Sequence, residues 1–247
     1  MLAPMLLLLA LGGAAACYTA TCLYTPNANG HAVVPNGTTS IGDEAFSCCD
    51  SLVSIVLPDG LTSIGTLAFY SCGSLVSVAL PDSLTSIGDG AFSYCASMVS
   101  IALPDTLTSI EGDAFQDCSS LVSVVLPDNL TSVGDSAFNG CTSLLTVALP
   151  DSVTSIGDGA FQDCDSLGLV YVPVGCSVGN NAFLKTAGGF VFGRGPTLPS
   201  PPPPAPPSPF SPPPPATLVH GDSLSKATPM RGRKGAGSGL GAGGGVR

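Results

Sequence analysis

Six cysteines recur at a fixed interval of 23 residues: Cys49, Cys72, Cys95, Cys118, Cys141 and Cys164. Thiols can act as metal ligands, nucleophiles or disulfide partners. A tetrahedral metal site needs its thiolates clustered, and a linear ladder does not cluster them. Stacked neighbours could bridge, because a disulfide needs Cα atoms only about 4.4–6.8 Å apart, or each could be a small buried hydrophobe. Two other columns keep the same interval. Asp59, Asp82, Asp105, Asp128 and Asp151 follow a proline each time, and Thr62, Thr85, Thr108, Thr131 and Thr154 follow a leucine or valine. A row of carboxylates could collect calcium, but calcium prefers a compact shell of about six to eight oxygens and this row is open. It reads as one turn residue in five copies. A ladder of hydroxyls could order water or match ice, yet the next residue is always Ser, so it reads as an ordinary strand position.

No catalytic constellation accompanies these columns. The two histidines, His31 and His220, stand in the flanks, and neither has a candidate nucleophile beside it in sequence. No Lys or Arg precedes Lys185, so the repeats offer nothing basic to hold a phosphate or an oxyanion. The acids are mostly repeat copies, and a repeated geometry is not a unique site. The sequence therefore predicts no enzyme, no metal and no cofactor.

The elements that position the columns follow from one unit. In Leu84-Thr85-Ser86-Ile87-Gly88-Asp89-Gly90-Ala91-Phe92-Ser93-Tyr94-Cys95, the Ala-Phe pair recurs at Phe46, Phe69, Phe92, Phe115, Phe138 and Phe161, and a shortened copy follows at Phe183. Self-similarity at such a period marks a solenoid, in which each unit buries its apolar face only against its neighbours. In Leu75-Val76-Ser77-Val78-Ala79-Leu80-Pro81 the alternation points Leu75, Val78 and Leu80 inward and Ser77 and Ala79 outward. Pro81-Asp82-Ser83 reads as a tight turn and Leu84–Ile87 as a second extended piece. Gly88-Asp89-Gly90 breaks it, and Ala91–Cys95 is expected to form one helical or 3-10 turn with Phe92 and Cys95 in the core. The fold class expected is a leucine-rich-repeat solenoid, mainly β, with stacked coils about 4.8 Å apart.

The string L-T-S-I-G-D-x-A-F-x-x-C-x-S-L-x-S-x-x-L-P-D, carried by residues 37 to about 185, resembles the BspA-type leucine-rich repeat. The resemblance implies a surface or secreted protein whose solenoid serves adhesion or protein binding, and it favours core packing for the Cys column. Glu111 in a glycine position, Met98 for Leu, and Thr66-Leu67 for Asp-Gly depart from the pattern, and the seventh copy loses its Cys as a capping repeat would.

The flanks are different material. Residues 1–16 read as a signal peptide, with a short apolar core and Ala14-Ala15-Ala16 before Cys17. The apolar stretch is too short for a membrane span. Residues 17–36 form an N-terminal cap, 37–185 the solenoid and 186–195 a C-terminal flank. Residues 196–215 are a Pro-rich stalk whose blocks Ser200–Pro204 and Ser211–Pro215 resemble extensin repeats, and 216–247 are a Gly-rich basic tail. Cys17 and Cys22 are candidates to pair with each other and staple the cap. Asn36 and Asn129 stand in glycosylation sequons.

Formal net charge is −10, and every acid except Asp222 precedes Lys185. Such a field disfavours nucleic acid and anionic membranes, leaving protein or neutral glycan as partner. The outward strand positions Ser54, Val56, Ser77, Ala79, Ser100, Ala102, Ser123, Val125, Thr146, Ala148 and Tyr171 form the candidate binding face. The expected function is noncatalytic binding and adhesion by a secreted, cell-surface or cell-wall protein. The alternatives are a structural wall component held by its modified Pro-rich segment and an intracellular interaction scaffold.

Overall fold

The computed structural model describes residues 22–193. These fall within the first of two units into which the chain divides, Met1–Ala205, while the second, Pro206–Arg247, lies wholly outside them. The expected signal peptide, Cys17, the Pro-rich stalk and the Gly-rich tail also lie outside the described residues.

Residues 22–193 wind into about seven coils of about 23 residues, each contributing short strands to two parallel ladders. The first ladder runs through His31–Val33, Ser54–Val56, Ser77–Val78, Ser100–Ala102 and Ser123–Val125, continues by a bridge to Thr146, and ends with Val170–Val172 and Phe190–Phe192. The second runs through Ser40–Ile41, Ser63–Ile64 and Ser86–Ile87 and, after a break in strand pairing, through Ser109–Ile110, Ser132–Val133, Ser155–Ile156 and Ser177–Val178. Pairing is in register with the repeat: Ser54 faces Ser77, Ser100 faces Ser123, and Ser132 faces Ser155. The alternation expected from the sequence holds, with Leu75 and Val78 buried, Ser77 and Ala79 exposed, and Leu80 half-buried.

The third side of each coil departs from expectation, because it is not helical. Between Gly88 and Met98 successive turns close locally, with Ser93 N–H donating to Gly90 O and Cys95 N–H to Phe92 O. The intervening amides turn outward along the stack: Gly90, Phe92 and Tyr94 donate to Gly112, Ala114 and Gln116 of the next coil. Left-handed residues recur four apart, as at Gly90 and Tyr94 (both φ 60°) or Asp113 and Asp117 (φ 51° and 54°). Two such residues per coil interrupt any helix, since a run of right-handed dihedrals is what a helix requires.

The core is a set of columns. Phe46, Phe69, Phe92, Phe115, Phe138, Phe161 and Phe183 stack with centroids 4.9–5.5 Å apart and planes within 9° of one another. Tyr24 covers one end of this spine and Phe190 the other. The expected pairing of Cys22 with Cys17 is corrected: Cys22 is bonded to Cys49, with Cα atoms 5.7 Å apart. Cys49 therefore leaves the free-thiol column, because the segment from Cys22 to Tyr24 lies on the first coil, where Leu23 N–H donates to Ala45 O.

Candidate functional surface

The regular columns serve the fold. The hydroxyls of Thr62, Thr85, Thr131 and Thr154 donate to the carbonyls of Thr39, Thr62, Thr108 and Thr131 at 2.8–3.1 Å, bracing one coil on the previous one. A hydroxyl spent in this way has no proton left to donate and offers water only its acceptor lone pairs. Each thiol of Cys72, Cys95, Cys118, Cys141 and Cys164 donates to the carbonyl of the phenylalanine 26 residues earlier, at 3.1–3.2 Å. Burial pushes the thiols of Cys72, Cys118 and Cys164 up to about 12 and raises Cys95 and Cys141 well above the ordinary thiol value. Thiols held protonated at neutral pH are neither nucleophiles nor metal ligands. Among the described residues no three His, Cys, Asp or Glu side chains gather closely enough to hold a metal ion. His31 is exposed, with Nδ1 2.5 Å from Ser54 Oγ at one end of the first ladder, and His220 lies outside the described residues.

The outer face of the first ladder is built from small, uncharged side chains. Ile55, Val78, Ile101, Val124, Val147 and Val170 point inward, which forces their neighbours outward. Of the residues singled out from sequence, Val56, Ser77, Ala79, Ala102, Val125, Thr146 and Ala148 are exposed, and Ser54, Ser100, Ser123 and Tyr171 are half-buried. The structure adds a column the sequence reading missed. Val76, Val99, Val122 and Leu145 are 37–52% exposed, just ahead of the strand residues, and Leu169 continues the outward row after Thr146. The signal was there in the pairs Leu75-Val76, Met98-Val99, Leu121-Val122 and Leu144-Leu145, where two adjacent apolar side chains cannot both enter a narrow coil. Val33 continues the face at one end and Val191 at the other, 63% and 41% exposed. The exposed acids Asp59, Asp82, Asp105 and Asp128 occupy the adjoining turns and border an otherwise apolar strip.

Two ladders at a 23-residue register, a stacked phenylalanine spine and a buried Cys column together reproduce one repeat. The profile described as BspA type leucine rich repeat region matches in six copies over residues 21–118 and 85–188. The chain belongs to the BspA-type leucine-rich-repeat family. Among solved structures, a leucine-rich-repeat protein of T. pallidum is 35% identical, with a TM-score of 0.61 over 64% of this chain and 76% of that one. A leucine-rich-repeat protein from Eubacterium ventriosum shares the fold at 24% identity and a TM-score of 0.60, over 69% of this chain but only 45% of that one. Comparison with curated proteins found no match. BspA-type repeats are typically noncatalytic, and no helix among the described residues is long and apolar enough to cross a membrane.

Proposed function

We propose that the protein is a noncatalytic, secreted or cell-surface binding module that docks another protein on the outer face of its first ladder and so serves adhesion. One observation carries the reading: Val76, Val99, Val122 and Leu145 repeat a 37–52% exposed apolar side chain through four successive coils with no charge among them, and the exposed Leu169 of the outward row extends the strip. Contiguous exposed apolar surface marks interaction sites. A protein partner fits this strip better than a glycan, because Tyr171 is the only aromatic residue at the outward positions, at one end of the row. Asn36 and Asn129 are both exposed, and a form passing through a glycosylating secretory route carries sugar there.

The test is binding of the immobilised full chain to a panel of purified extracellular-matrix proteins and neutral glycans. Ala102→Arg with Val125→Arg places two charges at the centre of the strip. The double variant is expected to lose binding while keeping its circular dichroism spectrum and melting temperature. Unchanged affinity removes this face from the function, and retention of glycans alone replaces the protein partner with a sugar.

A further inference from the structure

Tyr70 and Tyr94 meet on the turn side of adjacent coils, away from the first ladder. Their ring centroids are 5.4 Å apart and their planes 67° apart. Nothing in the repeat requires them. In the column of Tyr70 the other coils carry Ser47, Ser93, Gln116, Asn139 and Gln162, and in the column of Tyr94 they carry Cys48, Ser71, Asp117, Gly140 and Asp163. A solenoid repeats in every coil what its stacking needs, so an unrepeated aromatic pair is not explained by packing. Tyr94 is 37% exposed and Tyr70 half-buried, so both rings remain within reach of solvent.

Two carboxylates lie near Tyr94. Asp117 follows Tyr94 in the same column and lies beside its hydroxyl, and Asp113 is close enough to act on Tyr94 as well. Asp113 in turn feels the negative charges of Asp89, Asp135 and Asp117. Lys185 is the only Lys or Arg among the described residues. It shows what a cation does on this side of the coil: its Nζ sits 2.6 Å from Asp163 Oδ1, in the same column as Tyr94 and Asp117. The residue that follows Asp117 in that column is Gly140, which brings no side chain.

We propose that Tyr70, Tyr94, Asp113 and Asp117 form a second docking patch, for a lysine- or arginine-bearing segment of a partner protein. The tyrosine faces attract a cation within about 6 Å of the ring centroid. The carboxylates accept its N–H groups, with arginine suited to a bidentate contact. The strongly acidic field of the solenoid steers a basic segment toward it. This patch is independent of the apolar strip on the first ladder.

The test uses the full chain and a fluorescein-labelled hexa-arginine peptide, read by fluorescence anisotropy at low ionic strength. Tyr70→Ala with Tyr94→Ala, and separately Asp113→Asn with Asp117→Asn, are each expected to weaken binding by about tenfold. Asp59→Asn with Asp82→Asn removes the same charge from the distant turn row and is expected to change affinity by less than about twofold. Equal weakening by the turn-row variant reduces the effect to general electrostatics and overturns the patch, as does unchanged binding in both patch variants. The aspartate pair keeps side-chain shape, so it decides the question even if the tyrosine variant fails to fold. Sedimentation of the full chain without peptide provides the remaining check. A dimer that dissociates on Asp113→Asn with Asp117→Asn makes a second copy the occupant and overturns the partner assignment.

Discussion

At the scale of single residues, the turn side of each coil depends on backbone conformations that most residues avoid. The column Glu44, Leu67, Gly90, Asp113, Ser136, Gly159 and Asn181 is left-handed throughout, with φ between 51° and 63°. Only two of its members are glycine, which alone takes that region without a Cβ penalty. Ser136→Gly is therefore expected to raise stability by about 0.5 kcal/mol in chemical denaturation, since relief at φ 53° outweighs the entropy of the freer chain. The reverse change at Gly90 is expected to cost about 1–3 kcal/mol. There an added Cβ also falls 2.6 Å from Leu67 Cδ2, which must move aside.

At the scale of the element, each coil is held less by its two- or three-residue strands than by the columns running through the stack. An interior ring such as Phe115 is fully buried and contacts rings on both sides, at 5.5 and 5.2 Å. Phe115→Ala is expected to destabilise the solenoid by about 3–5 kcal/mol. Phe183→Ala should cost less, because Phe183 is 8% exposed and its outer neighbour Phe190 tilts by 30°. Equal losses at the two sites in urea titration would show that the spine does not act through nearest neighbours. The Cys22–Cys49 bond closes a separation of 27 residues and holds Tyr24 against Phe46. Replacing Cys22 with Ser is expected to lower stability by about 3–4 kcal/mol from loop entropy, read as a drop in midpoint against the oxidised wild type that disappears when both proteins are compared under reducing conditions.

At the scale of the whole molecule, the described solenoid is an acidic body with Lys185 as its single Lys or Arg. Burial first, and then the charges of Asp89, Asp135 and Asp117, raise the Asp113 carboxyl above the usual carboxylate range. The folded state thus holds that proton more tightly than the unfolded chain, and the penalty is absent at acid pH and grows as pH rises through the folded value. Asp113→Asn is expected to raise the melting temperature at about pH 7 and to leave it nearly unchanged at about pH 3. Asp163 behaves in the opposite sense, because its hydrogen bond to Lys185 lowers its carboxyl. Breaking that pair with Lys185→Met removes a small stabilisation present above the carboxylate range and lost on acidification, and salt weakens it further.

The period of the repeat determined the solenoid, its register, the buried Phe column and the outward row from Ser54 to Tyr171, whereas core packing of the Cys column was implied by the family resemblance. Identical units stacked at one spacing leave each residue type a single environment, so a column in sequence becomes a column in space. What the sequence could not decide were the features that depend on contacts between coils. The pairing of Cys22 with Cys49 rather than Cys17 came from how the first segment lies on the first coil. The turn side became left-handed turns instead of a helix because its alternate amides are drawn to carbonyls of the next coil. The exposure of Val76 and its column followed from a coil too narrow to admit two adjacent apolar side chains. Periodicity carries what every coil repeats, whereas the partner of a single cysteine, the direction of an amide and the neighbour of a lone tyrosine are settled only when the coils are stacked.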